Sequence, residues 1–405
     1  MSVLQLSHGT VPFRRSQRAA GLALSDIVRI SEESARLRSQ GIDVIALSTG
    51  EPDFSTPAHA VEAAHASARA GLTKYPPTAG LPDLRDAIAE RAPGPEISKE
   101  SVIVSTGAKQ VLAMAMLASL DSGEEVILPT PCWSSYSDIV AMAGGKAVFL
   151  PCTAGDGFKL RPEQLSEAIT PLTRWLILNS PSNPSGATYS AAELAKLAEV
   201  LRANPHVWVL SDEIYEHLSY VPFASLRDIA PDLAVRMLVV NGVSKAYAMT
   251  GWRIGWGIGP EALIAAMVAV QGQITSGACS IAQAAALAAL TGDQAFLDER
   301  RETMRTRRDM VVDALNATGV IECPVPEGAF YVFPSCARAL GLKTPEGDEI
   351  ESDTMFCQYL LRAHGVAVVP GSAFGMPGHF RLSFAYAKET LQAGLERIAK
   401  AVASL

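Results

Sequence analysis

Between about residue 100 and residue 250 the chain alternates short apolar runs with longer stretches of helical periodicity, and this alternation narrows the folds open to it. The apolar runs read as strands at Ser101 to Ser105, Glu125 to Leu128, Ala147 to Leu150, Trp175 to Leu178, Val207 to Leu210 and Met237 to Val240. Helical patterns at Lys109 to Leu120, Ser134 to Ala143 and Ala191 to Arg202 lie between them. Runs this short, apolar on both faces and rich in β-branched side chains, suit strands covered on both sides. Strand and helix in turn predict an α/β fold, a mainly parallel sheet with helices on both faces. After about residue 300 the pattern changes to a long charged helix and strands at Tyr331 to Phe333, Val366 to Val369 and Phe380 to Phe384, which fit a smaller α+β domain. The expected division is a large domain over 51–298 and a small one built from 1–50 and 299–405.

Charge and cysteine usage exclude several classes. A formal net charge of −8 speaks against a nucleic-acid partner, which usually meets a basic stripe. The arginine-dense stretch Glu299 to Arg308 interleaves acids with bases and reads as a solvated, salt-bridged helix face. Six scattered cysteines, with no CxxC pair and no neighbouring histidine, suit reduced thiols in the cytoplasm rather than disulfides or a metal site. No charged and apolar leader follows Met1. The alanine-rich stretch Ala278 to Leu290 is too short for a membrane span and reads as a buried helix.

In an open α/β sheet, ligands bind outside the carboxyl ends of the strands, and the polar residues out of place here fall at those ends. Ser105-Thr106-Gly107-Ala108-Lys109-Gln110 joins a strand to a helix start, where free N–H groups and the helix dipole favour an anion. Thr106 as a plain N-cap explains it as well. Asn179 to Gly186 is a polar loop in which Asn183 can donate to an oxyanion, or simply turn the chain. Asp212 ends a buried run and needs a cationic or N–H partner, with Tyr215 three residues on, or else it caps the next helix. Lys245 follows another strand. It either snorkels to the surface or, partly desolvated, serves as a Schiff-base nucleophile, with Arg253 as a phosphate clamp. Arg381 sits inside an apolar strand, where its fork suits a carboxylate or a structural ion pair.

Taken together, these segments resemble the class I/II, fold-type I aminotransferases that use pyridoxal 5′-phosphate (PLP), in particular the bacterial aspartate/prephenate branch. The likeness runs over nearly the whole chain. Its landmarks are Gly50-Glu51-Pro52-Asp53-Phe54, Thr73-Lys74-Tyr75, Gly107 to Gln110, Trp133, Asn179 to Gly186, Asp212 to Tyr215, Ser244-Lys245, Gly251-Trp252-Arg253 and Arg381. The resemblance implies a large domain with a seven-stranded sheet and a homodimer with shared sites. Lys245 would hold the cofactor as a Schiff base and shuttle a proton. Asp212 would pair with the ring nitrogen, and Asn183 and Tyr215 with the 3′-oxygen. Trp133 would stack on the ring. Gly107, Ala108, Ser244 and Arg253 would hold the phosphate with Lys109 close by, and Tyr75 would reach the phosphate of the neighbouring subunit. Arg381 would grip the substrate α-carboxylate, helped by Gly50, with Trp133 and Asn183 beside the substrate.

The implied reaction is ping-pong transfer of an amino group from an L-amino acid to a 2-oxo acid. A C–S β-lyase, or related carbanion chemistry on the same scaffold, is the alternative. Lys109 favours aspartate or glutamate as a substrate. Two departures from the family pattern stand out: Gly242 replaces a serine common in relatives, and Ser25-Asp26-Ile27 replaces Ser-Ala-Thr, with Arg29 nearby.

Overall fold

The computed structural model describes residues 13–22 and 24–405. The first twelve residues of the segment assigned to the small domain, and Ala23, lie outside the described residues. In chain order the strands are β1 (Ile45–Ala46), β2 (Val102–Thr106), β3 (Glu125–Thr130), β4 (Lys146–Pro151), β5 (Thr173–Asn179), β6 (Trp208–Asp212), β7 (Met237–Gly242), β8 (Ile254–Ile258), β9 (Tyr331–Val332), β10 (Val366–Ala367), β11 (Val369–Pro370) and β12 (Phe380–Ser383).

Strands β2 to β8 form one seven-stranded sheet in the order β2-β8-β7-β6-β5-β3-β4. Its pairs are parallel except those of β8, which runs antiparallel to β2 and β7. Helices at 58–69, 82–89, 191–203 and 280–291 cover one face, joined by Leu84, Leu197, Val209 and Ala285. Helices at 108–119, 135–143 and 261–274 cover the other through Val111, Met116, Val126 and Leu210. This is the expected mainly parallel α/β architecture.

The sheet departs from the sequence pattern in two places. Strand β4 is an edge strand and is partly exposed, with Phe149 51% exposed, so it is not covered on both sides as its apolar run implies. Strand β8 reads Ile-Gly-Trp-Gly-Ile, and its glycines disguise it as a loop. The glycines are needed because the helix 108–119 packs directly on that strand: a Cβ on Gly255 would meet the Gly107 carbonyl carbon at 2.7 Å and Ala108 Cα at 2.8 Å. The same squeeze explains Gly242, where a Cβ would lie 2.9 Å from Gly255 Cα. No serine fits there without a shift.

Beyond the large sheet, β11-β12-β9 form an antiparallel sheet, and β1 pairs parallel with β10. The single run Val366 to Val369 is therefore split between two sheets. Helices at 295–316, 353–364 and 388–403 pack Met304, Phe356, Phe380, Leu382 and Ile398 into a second core. The long charged helix only partly matches its expected solvated face. Arg301 and Arg305 make exposed pairs one turn back with Asp298 and Glu302. Arg307, by contrast, clamps Asp53 in a half-buried bidentate pair, and Arg300 donates to the carbonyls of Ala246 and Ser55. These two arginines tie the segment after Gly50 to the helix. The stretch Ala278 to Leu290 is the buried helix expected of it. Among the described residues no helix is long and apolar enough to cross a membrane.

Candidate active site

Four strand ends converge on a cavity of about 350 Å³. Strand β5 delivers Asn179 and the loop with Asn183, β6 delivers Asp212, the turn after β7 delivers Ser244 and Lys245, and β12 brings Arg381 from the small sheet. Gly50, Ala108, Lys109, Trp133, Tyr215 and Arg253 complete the set of expected residues that line it. Tyr75 does not line it; it is 93% exposed on its own chain. Arg29 pairs with Asp26 outside the cavity, although Ser25, Ile27 and Val28 of the same segment line it.

The lining holds four basic side chains, Lys109, Lys245, Arg253 and Arg381, against two acids, Glu51 and Asp212. None of the four basic groups makes an ion pair among the described residues. An unmatched cation is costly to bury unless a ligand brings an anion. Lys109 and Arg253 are exposed and Lys245 is half-buried, so that cost falls mainly on Arg381. Arg381 is the clearest case. It is 1% exposed and gives Nη1 to Asn183 Oδ1 at 2.9 Å and Nη2 to the Ser48 carbonyl at 2.6 Å. Its Nε has no partner, and the guanidinium lies over the Tyr331 ring at 4.4 Å.

The turn at Gly107 carries a positive φ of 81° and leads into the helix 108–119. Gly107 itself caps that helix; Thr106 ends β2 and is not the cap. Any Cβ at Gly107 would run into the Arg253 guanidinium. Free helix N–H groups, a bare glycine and an arginine thus share one corner, as an anion site requires. Ser244 lines the same cavity and supplies the hydroxyl that Gly242 cannot.

Burial lowers the Lys245 ammonium to about 8, with the Arg381 charge as the next cause. Its Nζ donates to the Gly50 carbonyl at 2.8 Å. Burial also lowers Lys109, with Arg253 next, and its Nζ lies 4.6 Å over the Trp133 ring. Asp212 is raised to about 6 by burial, against the opposing hydrogen bond from Tyr136. Burial, with Tyr331 next, keeps the Tyr215 phenol well above its ordinary range.

Sequence reasoning missed two residues that matter here. Tyr136 donates to Asp212 Oδ2 at 2.7 Å. It reads as a core residue in an amphipathic helix, yet it stands three places after Trp133, whose carbonyl accepts the Tyr136 N–H at 3.1 Å as the helix begins. Tyr331 meets the Tyr215 hydroxyl at 3.0 Å and crowds Gly50, where a Cβ would strike its hydroxyl. Its setting in Ala329 to Phe333 reads as plain strand core.

The model of the family described as aminotransferase class I and II matches residues 42–398. The chain is 52% identical over 394 residues to an aspartate aminotransferase of Rhizobium meliloti (strain 1021), covering 96% of both chains. It is 49% identical over 379 residues to a probable aspartate/prephenate aminotransferase of Rhizobium leguminosarum bv. phaseoli, covering 92% of this chain and 95% of that one. Among solved structures, the aspartate aminotransferase from Rhizobium meliloti superposes with a TM-score of 0.95 at 51% identity, covering 97% of this chain and 100% of that one. The Thermus thermophilus aspartate aminotransferase with maleate superposes at 0.90 with 40% identity, covering 96% and 100%.

Proposed function

The chain belongs to the class I and II aminotransferases, and from that premise we propose that its cavity binds PLP and that the enzyme moves the amino group of aspartate or glutamate to a 2-oxo acid in a ping-pong cycle. The observation that carries this reading is one cavity uniting a half-buried lysine near pKa 8, a buried carboxyl and a buried guanidinium with no anion of its own.

The donor set fits that cofactor. An aldehyde suits the Lys245 amine, a cationic ring nitrogen suits Asp212, and a phenolic oxygen suits the Asn183 amide and the Tyr215 hydroxyl. A phosphate suits the helix start at Gly107 to Lys109 together with Ser244 and Arg253, and a flat ring suits Trp133. When bound, PLP supplies an electron sink for the carbanion left by loss of the substrate Cα proton.

The chain's own residues do the rest. Lys245, with its pKa near neutrality, takes that proton and gives it back. Arg381 grips the α-carboxylate, and this grip sets which Cα bond is labile. Asp212, kept ionised by Tyr136, holds positive charge on the ring nitrogen. Lys109 offers a second cation for a side-chain carboxylate. The names of the relatives, and the dicarboxylate with the Thermus enzyme, support an acidic substrate. The exposure of Tyr75 supports its assignment to the phosphate of a second copy, hence a homodimer. The reading assigns the cofactor chiefly to residues 51–298 and Arg381 to the small domain of 1–50 and 299–405, in a cytoplasmic enzyme.

The test is the absorption spectrum of protein reconstituted with PLP, before and after L-aspartate, L-glutamate and L-phenylalanine in turn. The expected result is a cofactor band, absent in Lys245→Ala, that an acidic amino acid converts to the pyridoxamine form. No band after reconstitution would overturn the cofactor assignment. Conversion by phenylalanine alone would overturn the substrate assignment.

A further inference from the structure

Strand β9 pairs with β12 in the small sheet, with Tyr331 opposite Ser383, and the Arg381 guanidinium of β12 lies over the Tyr331 ring. Tyr215 comes from the other sheet, three residues past the end of β6. The two phenols meet in the lining of the active-site cavity, hydroxyl to hydroxyl at 3.0 Å. Their rings stand edge to face with 5.9 Å between centroids, and both are buried. Among the described residues neither hydroxyl has another partner. The Tyr331 hydroxyl also abuts Gly50, where any Cβ would strike it, so the backbone before Glu51 hems it in.

The proton count fixes a direction for this bond. A phenol has one proton to donate and lone pairs with which to accept. Burial, before any other cause, raises both phenols, so each keeps its proton at neutral pH. If Tyr215 gives its proton to the 3′-oxygen of the cofactor, as proposed above, that proton is not available to Tyr331. The 3.0 Å contact is then a hydrogen bond only with Tyr331 as donor. The opposite arrangement would leave a bare Tyr215 lone pair facing an anionic oxygen. The Tyr331 ring has a separate task, because the buried Arg381 guanidinium rests on its face at 4.4 Å, with the Phe374 ring at 5.0 Å.

We infer that Tyr331 is a positioning residue of the transamination site: its hydroxyl donates to Tyr215 and so aims the Tyr215 proton at the cofactor, while its ring seats Arg381. The inference rests on the PLP reading. Hydrogen bonds in a chain polarise one another, so the bond from Tyr331 makes Tyr215 the stronger donor. A donor at the 3′-oxygen favours negative charge there and helps the Lys245 nitrogen, once joined to the cofactor, release its proton. Removing the Tyr331 hydroxyl should therefore raise the pH at which that proton leaves. The titratable groups around the pair are Arg381, Tyr386 and Asp212, and Glu51, Lys109, Lys245 and Arg253 share the same lining.

The test is spectrophotometric pH titration of the PLP-loaded protein, parent against Tyr331→Phe, a variant that keeps the buried ring. Cooperative strengthening of about 10–30% on a bond to a charged acceptor should lift the midpoint of the cofactor band by about 0.1–0.7 pH unit. In a Tyr215→Phe background the same substitution should move it no further, because the route through Tyr215 is gone. Succinate, a dicarboxylate with no amino group to transfer, reads the task of the ring. Its calorimetric affinity should be unchanged in Tyr331→Phe and about two- to thirtyfold weaker in Tyr331→Leu. A midpoint that moves by less than about 0.1 unit would overturn the inference. So would an equal shift in the Tyr215→Phe background, or succinate affinity weakened equally by both variants. A parent with no cofactor band would overturn the PLP reading and this inference with it, a result distinct from a parent band whose midpoint Tyr331→Phe leaves in place.

Discussion

Tyr136→Phe removes one oxygen beside Asp212 and leaves the ring where it packs, edge-on to Trp133 with 5.5 Å between centroids. The lost hydroxyl donates to Asp212 Oδ2 at 2.7 Å, and the other carboxylate oxygen keeps only the Ile214 N–H at 3.3 Å. A hydrogen bond to a charged acceptor contributes about 1.5–3 kcal/mol. One pKa unit is about 1.4 kcal/mol, so the substitution should raise Asp212 by about one to two units. Starting from about 6, that carries it through neutrality. A carboxyl about nine-tenths ionised at pH 7 becomes about half ionised or less. A cationic ring nitrogen on Asp212 lowers both proteins' values together, so the difference between variant and parent is what should be read. The assay is the pH profile of kcat/KM for L-aspartate with PLP-reconstituted enzyme. Its acidic limb should move up by one to two units in the variant, and the plateau above it should recover most of the parent rate. An unmoved limb would refute the argument. So would a rate that falls equally at every pH, since the hydroxyl would then be positioning the site and not tuning its charge.

Three further outcomes follow from the same structure. Gly255→Ala pushes a Cβ against the backbone of Gly107 and Ala108, and backbone cannot swing aside. It should cost about 1–3 kcal/mol in urea denaturation and weaken PLP binding, whereas a loss under about 0.5 kcal/mol would contradict the close packing of β8. Glu213 ionises near 4.5 when unfolded and about 8 when folded, so between those values the folded chain holds a proton that the unfolded chain has released. Parent stability should therefore fall as pH rises from 4.5 to 8, and Glu213→Gln should lack that slope, which denaturation of the cofactor-free protein at both pH values would reveal. Arg381→Leu removes a buried, unmatched cation. It should leave the cofactor-free protein as stable as the parent or more so. Losing one partner of a buried charge pair costs about 2–5 kcal/mol, so kcat/KM should drop between about thirtyfold and several thousandfold.

Most of the cavity lining was legible because a parallel strand announces itself twice, by a short apolar run and by the polar residue that ends it. Asn179, Asp212 and Gly242 end strands that run slightly further than their apolar cores, whereas Arg381 stands out as a charge inside the apolar antiparallel strand β12. What stayed hidden depends on contacts between distant segments. The glycines of β8 make sense only once the helix 108–119 is known to lie on them. Arg300 and Arg307 leave their solvated pattern because the segment from Asp53 to Ser55 happens to pass their side of the helix. The charge surplus of the cavity is invisible along the chain, where Lys109, Lys245, Arg253 and Arg381 are far apart. The Asp212-Glu213 pair joins both cases. Strand β6 closes at Asp212, and Glu213 just past its end lines a different cavity from that of Asp212. Glu213 is a buried acid without a cation, held by the Ser211 and Ser225 hydroxyls and pushed up to about 8 by burial, so at neutral pH it stands as a neutral hydrogen-bonded group and not as a buried charge.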